Sequence, residues 1–143
     1  MNTSEKTINL KMKLIKNTYD NLFCIGDIHG KFPRLIKILY KDVKPNSIVI
    51  CLGDIGLGFH NHFSEATIKH LNSVADVKNL FVIMLRGNHD NPDVWERYGK
   101  ETYDNIGFVK DTDRLYFKGK KFLFLGGAVS VDRESRVVGR DYW

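Results

Sequence analysis

The chain has 143 residues, of which 43% are hydrophobic, 12% aromatic and 27% charged. This composition excludes a disordered chain, because aromatic and branched aliphatic side chains are plentiful, and the length suits one domain spanning residues 1–143. No apolar run approaches the roughly 18 residues of a membrane-spanning helix. The lysine-bearing N-terminus also lacks the apolar stretch of a secretory signal. We therefore predict a cytoplasmic protein that does not enter a membrane.

The chain is basic, with 22 Lys and Arg residues against 17 Asp and Glu residues and a net charge of +5. An excess of this size permits an anionic partner but does not identify one. Acidic residues are scattered through the sequence, and the N-terminal lysines alternate with apolar residues. A solvated basic surface explains this pattern better than a nucleic-acid-binding stripe, so nucleic acid is only a weakly supported partner.

Three short apolar segments are each followed by a helical pattern. The segments lie at 22–25, 48–52 and 80–85, and the chain reaches a glycine just after each one, at Gly26, Gly53 and Gly87. Such runs are typical of buried parallel strands. Residues that favour helix starts follow the strands, namely Pro33, Ser64 and the pair Asn91-Pro92. This strand–helix alternation predicts an α/β domain with a parallel sheet.

The two ends of the chain have a different pattern. Residues 7–14 alternate between apolar and polar side chains, which predicts a half-buried strand whose lysines suit a sheet edge. Residues 114–117 and 121–125 flank a Lys-Gly-Lys turn, which predicts a β-hairpin. No clear element is predicted between Gly126 and Trp143.

The chain has two cysteines, Cys24 and Cys51, and each precedes an aspartate by three residues. Two cysteines cannot form a zinc site or a disulfide framework on their own. Because both lie in strand-like apolar runs, we predict free, buried, structural thiols in equivalent rows of neighbouring strands.

Polar residues follow each predicted buried strand at its carboxyl end. The sequences are Gly-Asp-Ile-His-Gly at 26–30, Gly-Asp at 53–54 and Gly-Asn-His-Asp at 87–90. Because α/β sheets bind ligands at this edge, we expect one cluster of side chains: Asp27, His29, Asp54, Asn88 and His89. Carboxylate, amide and imidazole ligands suit first-row divalent ions such as Mn²⁺, Fe²⁺ or Zn²⁺. A pair of such ions can hold a phosphoryl group during its displacement.

These three motifs, in this order and each after a predicted strand, resemble those of the calcineurin-like metallophosphoesterase superfamily. The resemblance runs from about Asn21 to the C-terminus. The segment FLGGAVSVDRE is similar to segments of small metallophosphoesterases from bacteria and their phages. The resemblance implies an α/β fold in which a metallophosphoesterase-like β-sandwich is flanked by helices. It also implies hydrolysis of a phosphorylated substrate by a metal-held hydroxide. One or two divalent ions are expected, with Mn²⁺ first and Fe²⁺, Zn²⁺ or Ni²⁺ as alternatives.

The resemblance assigns a role to each residue of the motifs. It implies that Asp27 and His29 bind the first metal ion, that Asp54 bridges both ions and that Asn88 binds the second. It implies that His89 acts at the leaving group, either by stabilising charge or by donating a proton.

Two features next to the motifs bear on the type of phosphoesterase that the sequence resembles. Arg86 immediately precedes the third motif and is a second catalytic candidate, which would hold phosphate; a structural ion pair is an equal alternative. The second motif continues as GDIGLG, so Leu57 and Gly58 stand where Ser/Thr phosphatases of the superfamily have the aspartate and arginine of GDxxDRG. This difference argues against that branch.

The superfamily completes its metal site with later histidines, but no histidine follows His89 in this sequence. The resemblance therefore implies that the C-terminal part of the fold is incomplete. His60 and His62 have an H-x-H spacing, although surface histidines are the more common interpretation, and His70 is expected on the polar face of a helix. A homo-oligomer or another protein partner could also complete the site.

Three functional hypotheses follow. The first is a metal-dependent phosphoester hydrolase, impaired to the extent that the missing histidines matter. The second is a shortened relative with weak or no catalysis that works by binding, such as a phage-encoded inhibitor in the host cytoplasm. The third is that the chain is a fragment of a complete enzyme.

Overall fold

The computed structural model describes residues 19–58, 65–100, 103–129 and 133–139. The strand predicted at 7–14 lies outside these residues, and so do the predicted helix cap Ser64 and the two histidines His60 and His62. No helix within the described ranges is long and apolar enough to cross a membrane.

Four parallel strands form the main sheet, and they lie side by side in their order along the chain. They are β1 (Asn21–Gly26), β2 (Ser47–Leu52), β3 (Leu80–Leu85) and β4 (Ile106–Phe108). The connections contain α1 (Phe32–Lys41), α2 (Glu65–Val77) and α3 (Pro92–Lys100). The three predicted strand–helix units are confirmed, and so is the α/β class. The predicted burial of the first strand was wrong: among the described strands, β1 lies at an edge of the sheet, and its residues are half-buried or exposed. The short strand β4 was not predicted.

The three helices pack on one face of this sheet. Right-handed crossovers place successive helices on the same side when each new strand is added at the same edge. Alternate residues of the strands therefore point toward the helices, as Val49 and Val82 do. The helices contribute the other half of this core, with buried residues Phe32, Leu35, Leu39, Ile68, Leu71, Ala75, Trp95 and Tyr98.

The opposite face of the sheet is covered by an antiparallel hairpin, which consists of β5 (Arg114–Phe117) and β6 (Lys120–Leu123). Leu115 and Phe124 from the hairpin region pack against strand residues that point away from the helices, including Ile50 and Ile83. The predicted hairpin is confirmed. The hairpin and the main sheet lie face to face, and the three helices cover the other face of the main sheet. A short 3₁₀-helix also occurs at Arg133–Ser135, where no element was predicted.

The prediction for the two cysteines was partly wrong. Cys24 pairs with Ile50 in the register of β1 and β2, whereas Cys51 pairs with Ile25. The cysteines are thus one row apart, and because strand side chains alternate, they point to opposite faces of the sheet. Cys51 is buried under the helices, and burial raises the pKa of its thiol to about 12. Cys24 is exposed rather than buried.

Candidate metal centre

The loops that follow β1 and β2 run together beyond the ends of the strands. The backbone N–H of His29 donates to the carbonyl oxygen of Asp54 at 2.7 Å, and the N–H of Gly30 donates to that of Ile55 at 2.8 Å. These bonds continue the parallel pairing of the two strands into the loops. They place the first two motifs of the sequence side by side.

Three predicted metal ligands meet between these loops. One ligand atom from each of Asp27, His29 and Asp54 lies within 4.8 Å of the other two. Nε2 of His29 is 3.1 Å from Oδ1 of Asp27, and the two side chains are 42% and 78% exposed. Two carboxylates and one imidazole fit a first-row divalent ion, and their exposure leaves room for water and substrate.

The same three residues have an uncommon backbone conformation. Asp27, His29 and Asp54 adopt φ values of 53°, 45° and 45°, in the left-handed region that residues other than glycine rarely occupy. Conformations of this kind cost on the order of 1–3 kcal/mol each and are concentrated at functional sites. In this protein, the three residues with this conformation are the same three whose ligand atoms lie together.

The loop after β3 supplies the third motif. Asn88 and His89 are buried there, and the backbone N–H of His89 donates to Oδ1 of Asp54 at 3.1 Å. The imidazole rings of His29 and His89 are 5.8 Å apart between centroids, with their planes inclined at 52°. The ring of His89 therefore lies next to the candidate ligands. Asn88 is the residue before it in this loop.

Glycine at position 87 permits this close approach. A Cβ atom on Gly87 would overlap Oδ1 and the backbone nitrogen of Asp54, and one on Gly53 would lie only 3.2 Å from Cα of Gly87. The second and third loops thus touch through their backbones. A side chain at position 87 would displace the carboxylate of Asp54.

Asp90 has a role that the sequence did not indicate. This residue is fully buried, and its carboxylate accepts four backbone hydrogen bonds at 2.7–3.1 Å, from Gly56, Gly87, Leu57 and Ile55. Burial raises the pKa of Asp90 above its usual range, and the four N–H donors oppose this shift. The carboxylate fastens the loop after β2 to the loop after β3. The only sequence signal was its place at the end of Gly-Asn-His-Asp.

Arg86 lies at the start of the third loop, next to a later glycine pair. Its carbonyl oxygen accepts a hydrogen bond from Gly127 at 2.8 Å, and a Cβ on Gly126 would lie 2.6 Å from that oxygen. Within the described ranges, no carboxylate forms an ion pair with the Arg86 guanidinium. The structural ion pair considered for Arg86 is therefore not seen there. His70 is exposed on α2, as predicted.

A family model for calcineurin-like phosphoesterases matches residues 21–141, which is most of the chain. No curated protein and no solved structure shows a significant match. The sheet, its helices and the Asp-His-Asp cluster are those expected of a metallohydrolase that acts on phosphoesters. The chain belongs to the calcineurin-like phosphoesterase family, and membership implies metal-dependent hydrolysis of phosphoesters.

Proposed function

We propose that the protein is a phosphoester hydrolase whose divalent metal centre is built on Asp27, His29 and Asp54, with Asn88 as a further ligand. The convergence of three ligand atoms within 4.8 Å, in a chain that matches the family over residues 21–141, carries this proposal. A divalent ion held by these residues would supply a Lewis acid that polarises a phosphoryl oxygen and lowers the pKa of a water molecule. Mn²⁺ is the expected ion, since the mixed carboxylate and imidazole set suits it; Fe²⁺, Zn²⁺ and Ni²⁺ are alternatives.

Asp54 has the central position among the ligands. Its Oδ1 accepts the N–H of His89 and its carbonyl oxygen accepts the N–H of His29, so both neighbouring loops hold it in place. A carboxylate held this way keeps its orientation when substrate arrives. This arrangement supports the role of a ligand shared between two ions, should two be bound.

His89 is proposed to act on the leaving group. Its ring is buried beside the exposed ring of His29, so it lies near the ligands without being part of their 4.8 Å cluster. Proton donation to the leaving oxygen by such a group accelerates hydrolysis by about 10²–10⁴-fold. Arg86, which has no carboxylate partner among the described residues, is proposed to hold the phosphate.

The test combines metal analysis with turnover. Purified protein is assayed for bound metal and for hydrolysis of bis(p-nitrophenyl) phosphate in Mn²⁺. We expect Asp54→Asn to lose most of its bound metal and at least about 100-fold in rate, since a neutral amide oxygen is a weaker ligand than the carboxylate it replaces. His89→Ala should lose about 10²–10⁴-fold in rate but keep its metal, because it is a proposed proton donor and not a ligand.

Matched controls are available elsewhere in the chain. Asp42→Asn and His70→Ala replace the same residue types at exposed positions, Asp42 directly after α1 and His70 on α2. Both should leave metal content and rate unchanged. Unchanged metal content in Asp54→Asn would contradict the proposed centre. A wild-type protein that binds metal fully but turns over no ester would favour the binding hypothesis over the hydrolase.

A further inference from the structure

A cavity of about 380 Å³ lies beside the candidate metal centre, between the carboxyl end of β1 and helix α1. Its charged lining consists of Asp27, Lys31 and Arg34, and its apolar lining includes Ile25, Ile28, Leu35 and Ile38. Asp27 belongs both to this cavity and to the cluster of metal ligands. A molecule whose phosphate is bound at the metal centre would therefore have this cavity next to it.

The cavity carries two cations that no acidic partner neutralises. In the described part of the chain, neither Lys31 nor Arg34 forms an ion pair, and both are exposed. They lie at the first turn of α1, where the aligned peptide dipoles add to the positive potential. Among the described residues that line the cavity, Asp27 is the one acidic group, and a bound divalent ion would offset its charge.

We propose that this cavity receives a second phosphate group of the substrate, so that preferred substrates carry two or more linked phosphates. We take the position of the reacting phosphate, beside Asp27, from the proposed function. The Arg34 guanidinium can hold a phosphate through two parallel hydrogen bonds, and the Lys31 ammonium adds a point charge. The half-buried Ile25 and Ile38 in the lining give the organic part of the substrate an apolar surface to pack against.

Binding of two small probes tests this assignment without requiring turnover. Methylenediphosphonate carries two linked phosphonates and methylphosphonate carries one, and both are titrated calorimetrically at a fixed free Mn²⁺ concentration. We expect the wild-type protein to bind the diphosphonate about tenfold more tightly, which corresponds to one additional charge-assisted contact. Lys31→Gln and Arg34→Gln should each lose most of this preference.

Lys37→Gln is the matched control, because Lys37 is an exposed cation on the same helix but does not line the cavity. This variant should keep the preference for the diphosphonate. It should also hydrolyse bis(p-nitrophenyl) phosphate at the wild-type rate. Equal wild-type affinity for the two probes, or equal losses in Lys31→Gln and Lys37→Gln, would overturn the assignment.

The same experiment separates this proposal from the function on which it relies. A protein that prefers the diphosphonate but hydrolyses no ester would contradict the hydrolase and support the anion-binding cavity. A protein that hydrolyses the ester but binds both probes equally would support the hydrolase and contradict the cavity.

Discussion

Gly87 determines whether Asp54 can occupy its place among the candidate metal ligands. In Gly87→Ala, the new methyl group would overlap the carboxylate and backbone nitrogen of Asp54. We expect metal binding to weaken at least about tenfold, and the free energy of unfolding to fall by about 1–3 kcal/mol because the two loops must separate. Calorimetric titration with Mn²⁺ and denaturant unfolding measure the two effects.

The control for this substitution is Gly99→Ala in helix α3. A Cβ there would meet only Cβ of Phe108 at 3.9 Å, which is ordinary contact. Alanine is the better helix former, so this variant should gain about 0.5–1 kcal/mol in stability and bind metal as the wild type does. Normal metal binding in Gly87→Ala would show that the loops can accommodate the methyl group, contrary to our expectation.

Asp90 is expected to stabilise the site without touching a ligand ion or substrate. Asp90→Asn replaces one acceptor oxygen by an NH₂ group. This group would then face the N–H donors of Gly56 and Leu57 in place of Oδ1, or those of Ile55 and Gly87 in place of Oδ2. Because a buried polar group without a partner is costly, we expect a loss of about 2–4 kcal/mol in the free energy of unfolding. Denaturant titration measures it.

Asp93→Asn provides the comparison, since Asp93 is exposed in the first turn of α3. Its charge interacts favourably with the helix N-terminus, so its loss should cost under about 1 kcal/mol. If the two substitutions cost the same, the four hydrogen bonds to Asp90 do not contribute the stability we assign to them.

For individual residues, the sequence predicted that Asp27, His29, Asp54 and His89 lie together. It did not predict the hydrogen bonds that hold their loops in place. Parallel strands place their carboxyl ends at one edge, so residues as distant as Asp27 and His89 could be grouped from strand positions alone. Asp90 links the two loops by accepting hydrogen bonds from three N–H donors that lie 33–35 residues earlier in the chain. No local pattern encodes such a contact, because it exists only after both loops have folded.

Among the secondary-structure elements, the β5–β6 hairpin contributes to the free energy of unfolding, and substitution of two of its leucines can measure this contribution. Leu115 on β5 is 4% exposed and packs against the main sheet, whereas Leu123 on β6 is 54% exposed. We expect Leu115→Ala to cost about 2–4 kcal/mol through lost burial and the cavity it leaves. Leu123→Ala, the matched control, should cost under about 1 kcal/mol. Equal costs in denaturant unfolding would contradict the packing of the hairpin on this face.

Element prediction succeeded where several residues express one pattern. The strands β1, β2 and β3 are continuous apolar runs followed by glycine, and this signal located them nearly to the residue, although only β2 and β3 are buried. Strand β4 has only three residues, Ile106-Gly107-Phe108, which is too short for a period to appear. It is a strand because it pairs with β3, and pairing is a tertiary property. The one-row error for the cysteines has the same origin, since register is set between strands.

For the molecule as a whole, the layer order explains why the site is where it is. All three helices pack on one face of the sheet and the hairpin packs on the other, so neither layer occupies the carboxyl edge of the strands. The candidate metal ligands, the backbone contacts of Gly87 and the cavity lined by Lys31 and Arg34 all lie at that edge. The same layer order gives Cys24 and Cys51 opposite surroundings.

The two thiols therefore report on the global stability of the sheet. In the native protein, a thiol reagent at pH 8 should modify Cys24 quickly and leave Cys51 unmodified, since Cys51 is buried and its pKa is about 12. We expect one reactive thiol per chain in buffer and two in denaturant, with none in buffer for Cys24→Ser.

The rate at which Cys51 is modified gives a second measurement. If Cys51 reacts only through unfolding, this rate follows the free energy of unfolding. Leu115→Ala should then accelerate it by about 30- to 1000-fold, a tenfold change for each 1.4 kcal/mol, while Leu123→Ala changes it little. Equally fast modification of both thiols in the native chain would contradict the burial of Cys51.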